Sequence, residues 1–266
     1  MFACIRRPRR ALAALCVVAF AAPCYAQSTA PVPTPQATAP EAALPAAQVI
    51  LDRHVEATGG RKALAARTSV RTVGSVSIPA NGMTGTIEVF AARPNRMLVK
   101  TTIAGIGEIS EGFDGTHSWS MSPMTGPMLA TGEELVQKSF DADFDGALNV
   151  TSRYQSIKTL EKTTFDGRPC YKLSLIRKDG GEDIEFYDVA TGLKAGSIVS
   201  RKSPMGTVTA TSTLTDYKKF GEILQPTVLK QSMTGVEIVT TFSAIEYDKV
   251  DPATFDLPAP IKALVK

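Results

Sequence analysis

The sequence predicts a mainly β domain, one large and strongly curved antiparallel sheet covered by a few helices. Three observations predict it. Apolar residues repeat with period two from Val70 to Phe242, glycine-bearing turn dipeptides punctuate that region, and helical spacing is confined to the residues before Val70 and one excursion near Leu135. A single all-β sandwich or barrel often reaches 266 residues, so one domain accounts for the length.

Residues 1–26 read as a cleaved secretory signal. MFACIRRPRR is a cationic head, ALAALCVVAFAA a short apolar run, and Cys24-Tyr25-Ala26 ends in a small residue before Gln27. The apolar run is too short to cross a bilayer. Pro23 before Cys24 argues against a lipid anchor. The signal holds four arginines and no acid, so its removal leaves 25 bases against 26 acids. A near-neutral chain offers no basic surface for a nucleic-acid backbone. Cys4, Cys16 and Cys24 leave with the signal; Cys170 alone forms no intramolecular disulfide and excludes a cysteine-based metal site.

Residues 27–43, rich in Pro, Ala and Thr, are expected as an extended tether, residues 44–258 as the folded domain and 259–266 as a tail. Pro45 suits a first helical turn, and Ala47, Ile50, Leu51, His54 and Val55 recur at spacings of three and four until Gly59-Gly60. RKALAARTS adds a second short helical segment. Strands follow around Val76 and Ile78, Ile87 and Val89, and Met97 to Ile103, then Tyr171 to Leu175, Ile184 to Phe186 and Val236 to Phe242. Asn81-Gly82, Asp114-Gly115, Asp166-Gly167, Asp179-Gly180 and Thr191-Gly192 supply hairpin turns. Between them Thr131-Gly132-Glu133-Glu134 fits a capping box, and Leu135, Val136, Ser139, Phe140, Phe144 and Leu148 continue at helical spacing. This excursion of about fifteen residues is expected to cover one mouth of the sheet.

Catalytic machinery is sparse. The two histidines, His54 and His117, lie apart, and no HExxH, GxSxG, SxxK or phosphate-binding loop occurs. Asp141-Ala-Asp143-Phe-Asp145-Gly146 copies the first half of a calcium loop, but its twelfth position is Ser152 instead of a bidentate glutamate, so an acidic helix end or loop is the reading taken. Met83, Met124, Met205 and Met233 mark four similar tips, with Met121 and Met128 near the second. Thioethers adapt to varied apolar partners, so these side chains either fill core gaps or rim an apolar cavity.

Together, GTIEVFAARPNRMLV, EGFDGTHSWSMSP and the closing DPATFDLP resemble the LolA/LolB-like outer-membrane lipoprotein-sorting family over about residues 45 to 258. Its pattern of Arg-Pro-Asn, Asp-Gly, tryptophan and Phe-x-x-Pro falls on Arg93-Pro94-Asn95, Asp114-Gly115, Trp119 and Phe255 to Pro258. The resemblance implies an unclosed β-barrel whose concave face is covered by helices and encloses an apolar cavity for acyl chains. It implies a monomeric periplasmic carrier of lipoprotein acyl chains or another lipid, in contact with envelope membrane proteins. No enzyme activity, cofactor, metal or nucleic acid is implied. In the carriers the arginine of Arg-Pro-Asn bonds to the helical lid and helps it open, a role that carries to Arg93. Met97, Val99, Trp119, Met121, Leu135, Phe140 and Phe144 are then expected to line or cover the cavity. The long tether, the region after Trp119 and Gly105-Ile106-Gly107-Glu108 depart from the family pattern. Two other readings stay open: an envelope scaffold or partner-binding domain with a filled core, and an enzyme using His117 with Asp114.

Overall fold

The computed structural model describes residues 43–203 and 206–265. The expected signal, nearly all of the tether, and Met205 lie outside the described residues. Two short helices come first, α1 (Ala47–Ala57) and α2 (Gly60–Ala65). Six strands follow: β1 (Ser69–Ile78), β2 (Met83–Ala92), β3 (Arg96–Ile103), β4 (Gly107–Phe113), β5 (Ser118–Ser122) and β6 (Gly126–Leu129). After α3 (Gly132–Asp141) and α4 (Val150–Arg153) come β7 (Tyr154–Phe165), β8 (Arg168–Arg177), β9 (Glu182–Asp188), β10 (Lys194–Ser203), β11 (Gly206–Phe220), β12 (Ile223–Met233) and β13 (Val236–Tyr247). A 3-10 turn (Pro252–Phe255) and α5 (Ala259–Lys262) end the chain.

All thirteen strands join one antiparallel sheet in the order β6-β5-β4-β3-β2-β1-β13-β12-β11-β10-β9-β8-β7. The chain therefore draws two meanders that meet where β1 pairs with β13. Turn chemistry sets this local pairing: Asp166 and Gly167, at φ 49° and 73°, close the β7–β8 hairpin in the left-handed region that such two-residue turns require. Only residues 130–153 jump, from edge strand β6 to the opposite edge strand β7.

That connection reveals the curvature. Helix α3 touches both β5 and β10, which stand eight intervals apart in the sheet. At about 4.8 Å per interval a flat sheet would separate them by roughly 38 Å, whereas a ten-residue helix is only about 15 Å long. The two arms must curl toward α3. The sheet is thus strongly bent but unclosed, with β6 and β7 as its free edges.

Strand alternation assigns each face. The inner face, toward α3, carries Val70, Thr72 and Val76 of β1, Ile87 and Ala91 of β2, Met97 and Val99 of β3, and Leu229 and Ile238 across β12 and β13. Helix α1 also lies on this side, burying Ala47, Ile50 and Leu51 against Leu173, Leu175 and Tyr187 of the β8–β9 arm. The outer face carries Leu98 and Ala92, covered by the C-terminal segment. Of the segment expected as a tail, the described residues 259–265 continue the fold: Ile261 has no solvent exposure and packs beside Phe255.

The excursion differs from its expected form. It is a ten-residue α3, a turn and a separate single-turn α4, and the Thr131 side chain makes no capping hydrogen bond. The helix stops because its continuation is pulled elsewhere. Phe144 N–H donates to Pro94 O at 3.1 Å, and Asp143 and Asp145 are drawn to arginines outside the helix.

Candidate functional site

The segment from α3 through α4 is a lid over the inner face, and its attachments are mainly polar. Asp145 receives Arg93 in two hydrogen bonds, from Nε at 2.8 Å and from Nη2 at 2.6 Å, while Arg93 Nη1 donates to Ala65 O at the end of α2. Asp141 receives Arg201 of β10 at 3.2 Å and 3.0 Å. Asp143 lies 3.2 Å from Arg153 Nε. That N–H does not point squarely at the oxygen, so the contact is an ion pair without a good hydrogen bond. The three aspartates that imitate half a calcium loop are therefore each held by a different arginine. Gly146, the loop's apparent turn residue, leaves room for Arg153: a Cβ there would lie 2.1 Å from Nη1.

The two flanks of α3 tie it to both arms. Lys138 Nζ donates to Glu111 of β4 at 2.6 Å, and Lys202 of β10 donates to Glu133 at 2.6 Å. The buried Gln137 carboxamide accepts from Lys202 N–H at 3.1 Å and donates to its carbonyl at 3.4 Å. An amide side chain thus pairs with the end of β10 that runs past its pairing with β9, as a neighbouring strand would. Arg201 extends the network inward, since its Nη1 donates at 2.7 Å to Asp183, which also receives Arg177 at 2.5 Å and the Tyr154 hydroxyl at 3.0 Å.

Beneath the loop of the lid, a cleft of about 300 Å³ is lined by Val70, Thr72, Ala91, Met97, Phe144, Leu148 and Ile245, among others. Its apolar walls continue along the inner face as Ile87, Val99, Leu229 and Ile238, all of which are only half-buried.

The structure brings some of the expected site residues together and separates others. Met97 and Phe144 line the cleft, Val99 shares Met97's face, and Arg93 stacks at 5.6 Å over the Phe144 ring. Leu135 is half-buried on α3. Phe140 packs edge-on against Tyr154 with the Arg153 guanidinium 4.0 Å over its ring, so it anchors the lid. Trp119 and Met121 are elsewhere. Trp119 pairs with Gly112, itself opposite Leu98, and that register puts Trp119 and Met121 on the outer face with Phe255 and Ile261. The indole lies flat over Gly112, where any Cβ would approach it to 2.7 Å. Methionines divide likewise: Met83 and Met233 follow the inner register, Met121 lies outside, and Met124 stands 80% exposed at a hairpin tip.

His117 and Asp114 do meet, at 3.0 Å. Burial opposes ionisation of Asp114, but the His117 and Thr116 N–H groups and the His117 ring outweigh it and hold the carboxyl below its ordinary value. Since those bonds close the β4–β5 turn, the pair has a structural role. His54, by contrast, is half-buried on the sheet-facing side of α1, edge-on to Tyr187. Burial, then the Lys194 ammonium, lowers its pKa to about 4. Nearby Glu185 is held below its usual range, because Lys194 and the Tyr187 hydroxyl outweigh the cost of burial.

Sequence reasoning missed most of the lid's partners. The aspartates were conspicuous, but Arg201 lies 60 residues from Asp141, and nothing local connects them.

No family model matches the sequence, and no curated protein matches it. Solved structures do. A LolA superfamily protein from Nitrosomonas europaea aligns with a TM-score of 0.53 at 16% identity, covering 80% of this chain and 99% of its own. A DUF1329 family protein from Desulfovibrio piger aligns with a TM-score of 0.53 at 14% identity, covering 79% of this chain and 97% of its own. The chain has the LolA-like fold, an unclosed curved sheet with a helical cover.

Proposed function

We propose that this protein is a non-enzymatic periplasmic carrier that holds the acyl chains of a lipid or lipoprotein against its inner face. One observation carries the reading: the inner face presents half-buried aliphatic side chains beneath a cover fastened chiefly by ion pairs. A permanent core would bury such residues under apolar partners, as the outer face does around Leu98 and Phe255. The LolA-like fold of the solved neighbours agrees with this assignment.

Energetics favour a polar fastening. Each buried methylene contributes about 0.8 kcal/mol, so a sixteen-carbon chain would gain about 12 kcal/mol from full burial. That gain exceeds the cost of breaking a few half-exposed ion pairs, at up to about 1 kcal/mol each. Entering hydrocarbon can therefore displace the lid, and release requires only an acceptor of similar affinity. In this reading Arg93 is the latch: its two bonds to Asp145 hold the loop against α2 and must part before Phe144 and Leu148 swing from the cleft.

Native mass spectrometry of the protein purified from periplasm without detergent tests the proposal, together with displacement of a fluorescent fatty acid by unlabelled phospholipid. Bound lipid and saturable displacement are expected. Absence of both would remove the carrier reading and leave a partner-binding domain in its place. Trp119 emission is a poor reporter because the indole lies on the face away from the lid.

A further inference from the structure

A second pocket, of about 430 Å³, lies at the flank of α3 that borders β10. Gly132, Glu133, Val136 and Gln137 of the helix, Lys202 of β10, and Arg177, Asp179 and Gly181 around the β8–β9 turn line it. It is separate from the apolar cleft under the loop and has a different chemistry.

Arg177 is the unusual member. It is only 6% exposed, yet its guanidinium is incompletely used: Nη1 donates to Asp183 at 2.5 Å, Nε to Asp179 at 3.2 Å, and Nη2 has no hydrogen-bond partner among the described residues. Gly181 makes that placement possible, since a Cβ there would lie 1.9 Å from Nη2. Nη2 keeps contact with solvent, so it is a donor open to an acceptor that enters the pocket. Charges around it balance. Two of each sign line the pocket and pair across it, Lys202 with Glu133 at 2.6 Å and Arg177 with Asp179 at 3.2 Å. A lone anion would meet Arg177 but also both carboxylates, and a lone cation the reverse. A group carrying an anionic oxygen and an N–H-bearing cation satisfies both sets.

We propose that this pocket binds the zwitterionic head group of an ethanolamine phospholipid, its phosphate oxygen accepting from Arg177 Nη2 and its ammonium donating to Asp179 and Glu133. The inference rests on the carrier reading and names its cargo. Register supports the connection: Arg201 and Val199, next to Lys202 on β10, pair with Val208 and Ala210 on β11 and share the inner face. A head group seated here lies beside the route that tails would take beneath α3.

The test offers the mature full-length protein vesicles with equal amounts of ethanolamine and glycerol phospholipids of identical acyl chains, and counts the bound species by native mass spectrometry. A preference of about fivefold for the ethanolamine lipid is expected, the scale of one exposed ion pair. The double variant Glu133→Gln, Asp179→Asn leaves two cations and no acid in the lining. The amide that replaces the second carboxylate retains an oxygen for the Gly181 N–H that Asp179 now caps at 2.9 Å, so the turn is kept. In that variant the ratio should fall to one or reverse toward the anionic lipid. Soluble phosphoethanolamine should compete against the ethanolamine lipid alone; if it binds equally well to protein without tails, the site reads a free metabolite and the lipid assignment is overturned. Equal retention of both lipids by the wild type, or an unchanged ratio in the variant, also overturns it while the carrier reading stands. Retention of neither removes both.

Discussion

The two faces of one sheet are covered in opposite ways. On the outer face Trp119, Leu98 and Ala92 meet Phe255 and Ile261, and the cover consists of hydrocarbon on hydrocarbon. On the inner face of the same strands, Met97 and Val99 lie under a segment fixed by Arg93–Asp145, Arg201–Asp141 and Lys138–Glu111. Apolar burial is proportional to area and has no alternative partner except another apolar surface. An ion pair near the surface exchanges readily with water. In the carrier reading the difference separates a permanent cover, the C-terminal segment, from one that would open, the lid.

Breaking the outer cover should have the largest effect. Phe255→Ala removes a ring that is 5% exposed and leaves a cavity against Trp119 and Ile261. A loss of about 4 kcal/mol in urea denaturation is expected. A loss under about 1 kcal/mol would show the outer cover to be as loosely held as the lid.

Legibility followed the same divide. The two-residue period of β3 and the Asp-Gly turns specify strands and hairpins, since they encode interactions between neighbours in sequence. The bent sheet and its helical excursion were legible on that basis. The face of Trp119 was not. Its side is set by register with Gly112, which depends on the length of the β4–β5 turn and not on hydrophobicity. Thr131 to Leu148 looked like one helix because periodicity cannot register Arg93 and Arg201 competing for its aspartates. The Asp179-Gly180 turn that folds Gly181 and Asp183 around Arg177 was legible, but the burial of Arg177 beside α3 was not, because that helix is distant in sequence.

Acid sharpens the comparison from the inner side. The folded-state pKa of His54, about 4, lies below its ordinary 6.5. Between those values the unfolded chain binds a proton that the folded protein refuses, so stability is complete above about pH 6.5 and is lost as pH falls toward 4. About 3 kcal/mol should disappear across that window. Denaturation midpoints at pH 7 and pH 4.5 check this, and His54→Gln should flatten the slope. An equal slope in that variant would place the acid sensitivity elsewhere.

Asp145→Asn tests the latch itself. Both partners of the Arg93 pair retain more than a quarter of their side-chain exposure, so global stability should fall by about 1 kcal/mol or less. Local protection should respond more clearly: in hydrogen exchange, residues 142–149 should open severalfold faster while β3 and the segment around Phe255 stay unchanged. Uniform acceleration over both covers would mean that the lid has no independent opening.

Salt should produce the smallest change and the cleanest separation. Raising ionic strength from about 0.1 M to 1 M shortens the screening length from about 10 Å to 3 Å. Pairs as exposed as Lys202–Glu133 should weaken, each by a fraction of 1 kcal/mol. Apolar contacts around Ile261 carry no charge to screen. Exchange in α3 and the loop after it should therefore accelerate by about twofold in sodium chloride, with no acceleration under the C-terminal segment. If both regions tighten together, hydrophobic packing dominates the lid as well, and the contrast between a permanent cover and a reversible one fails.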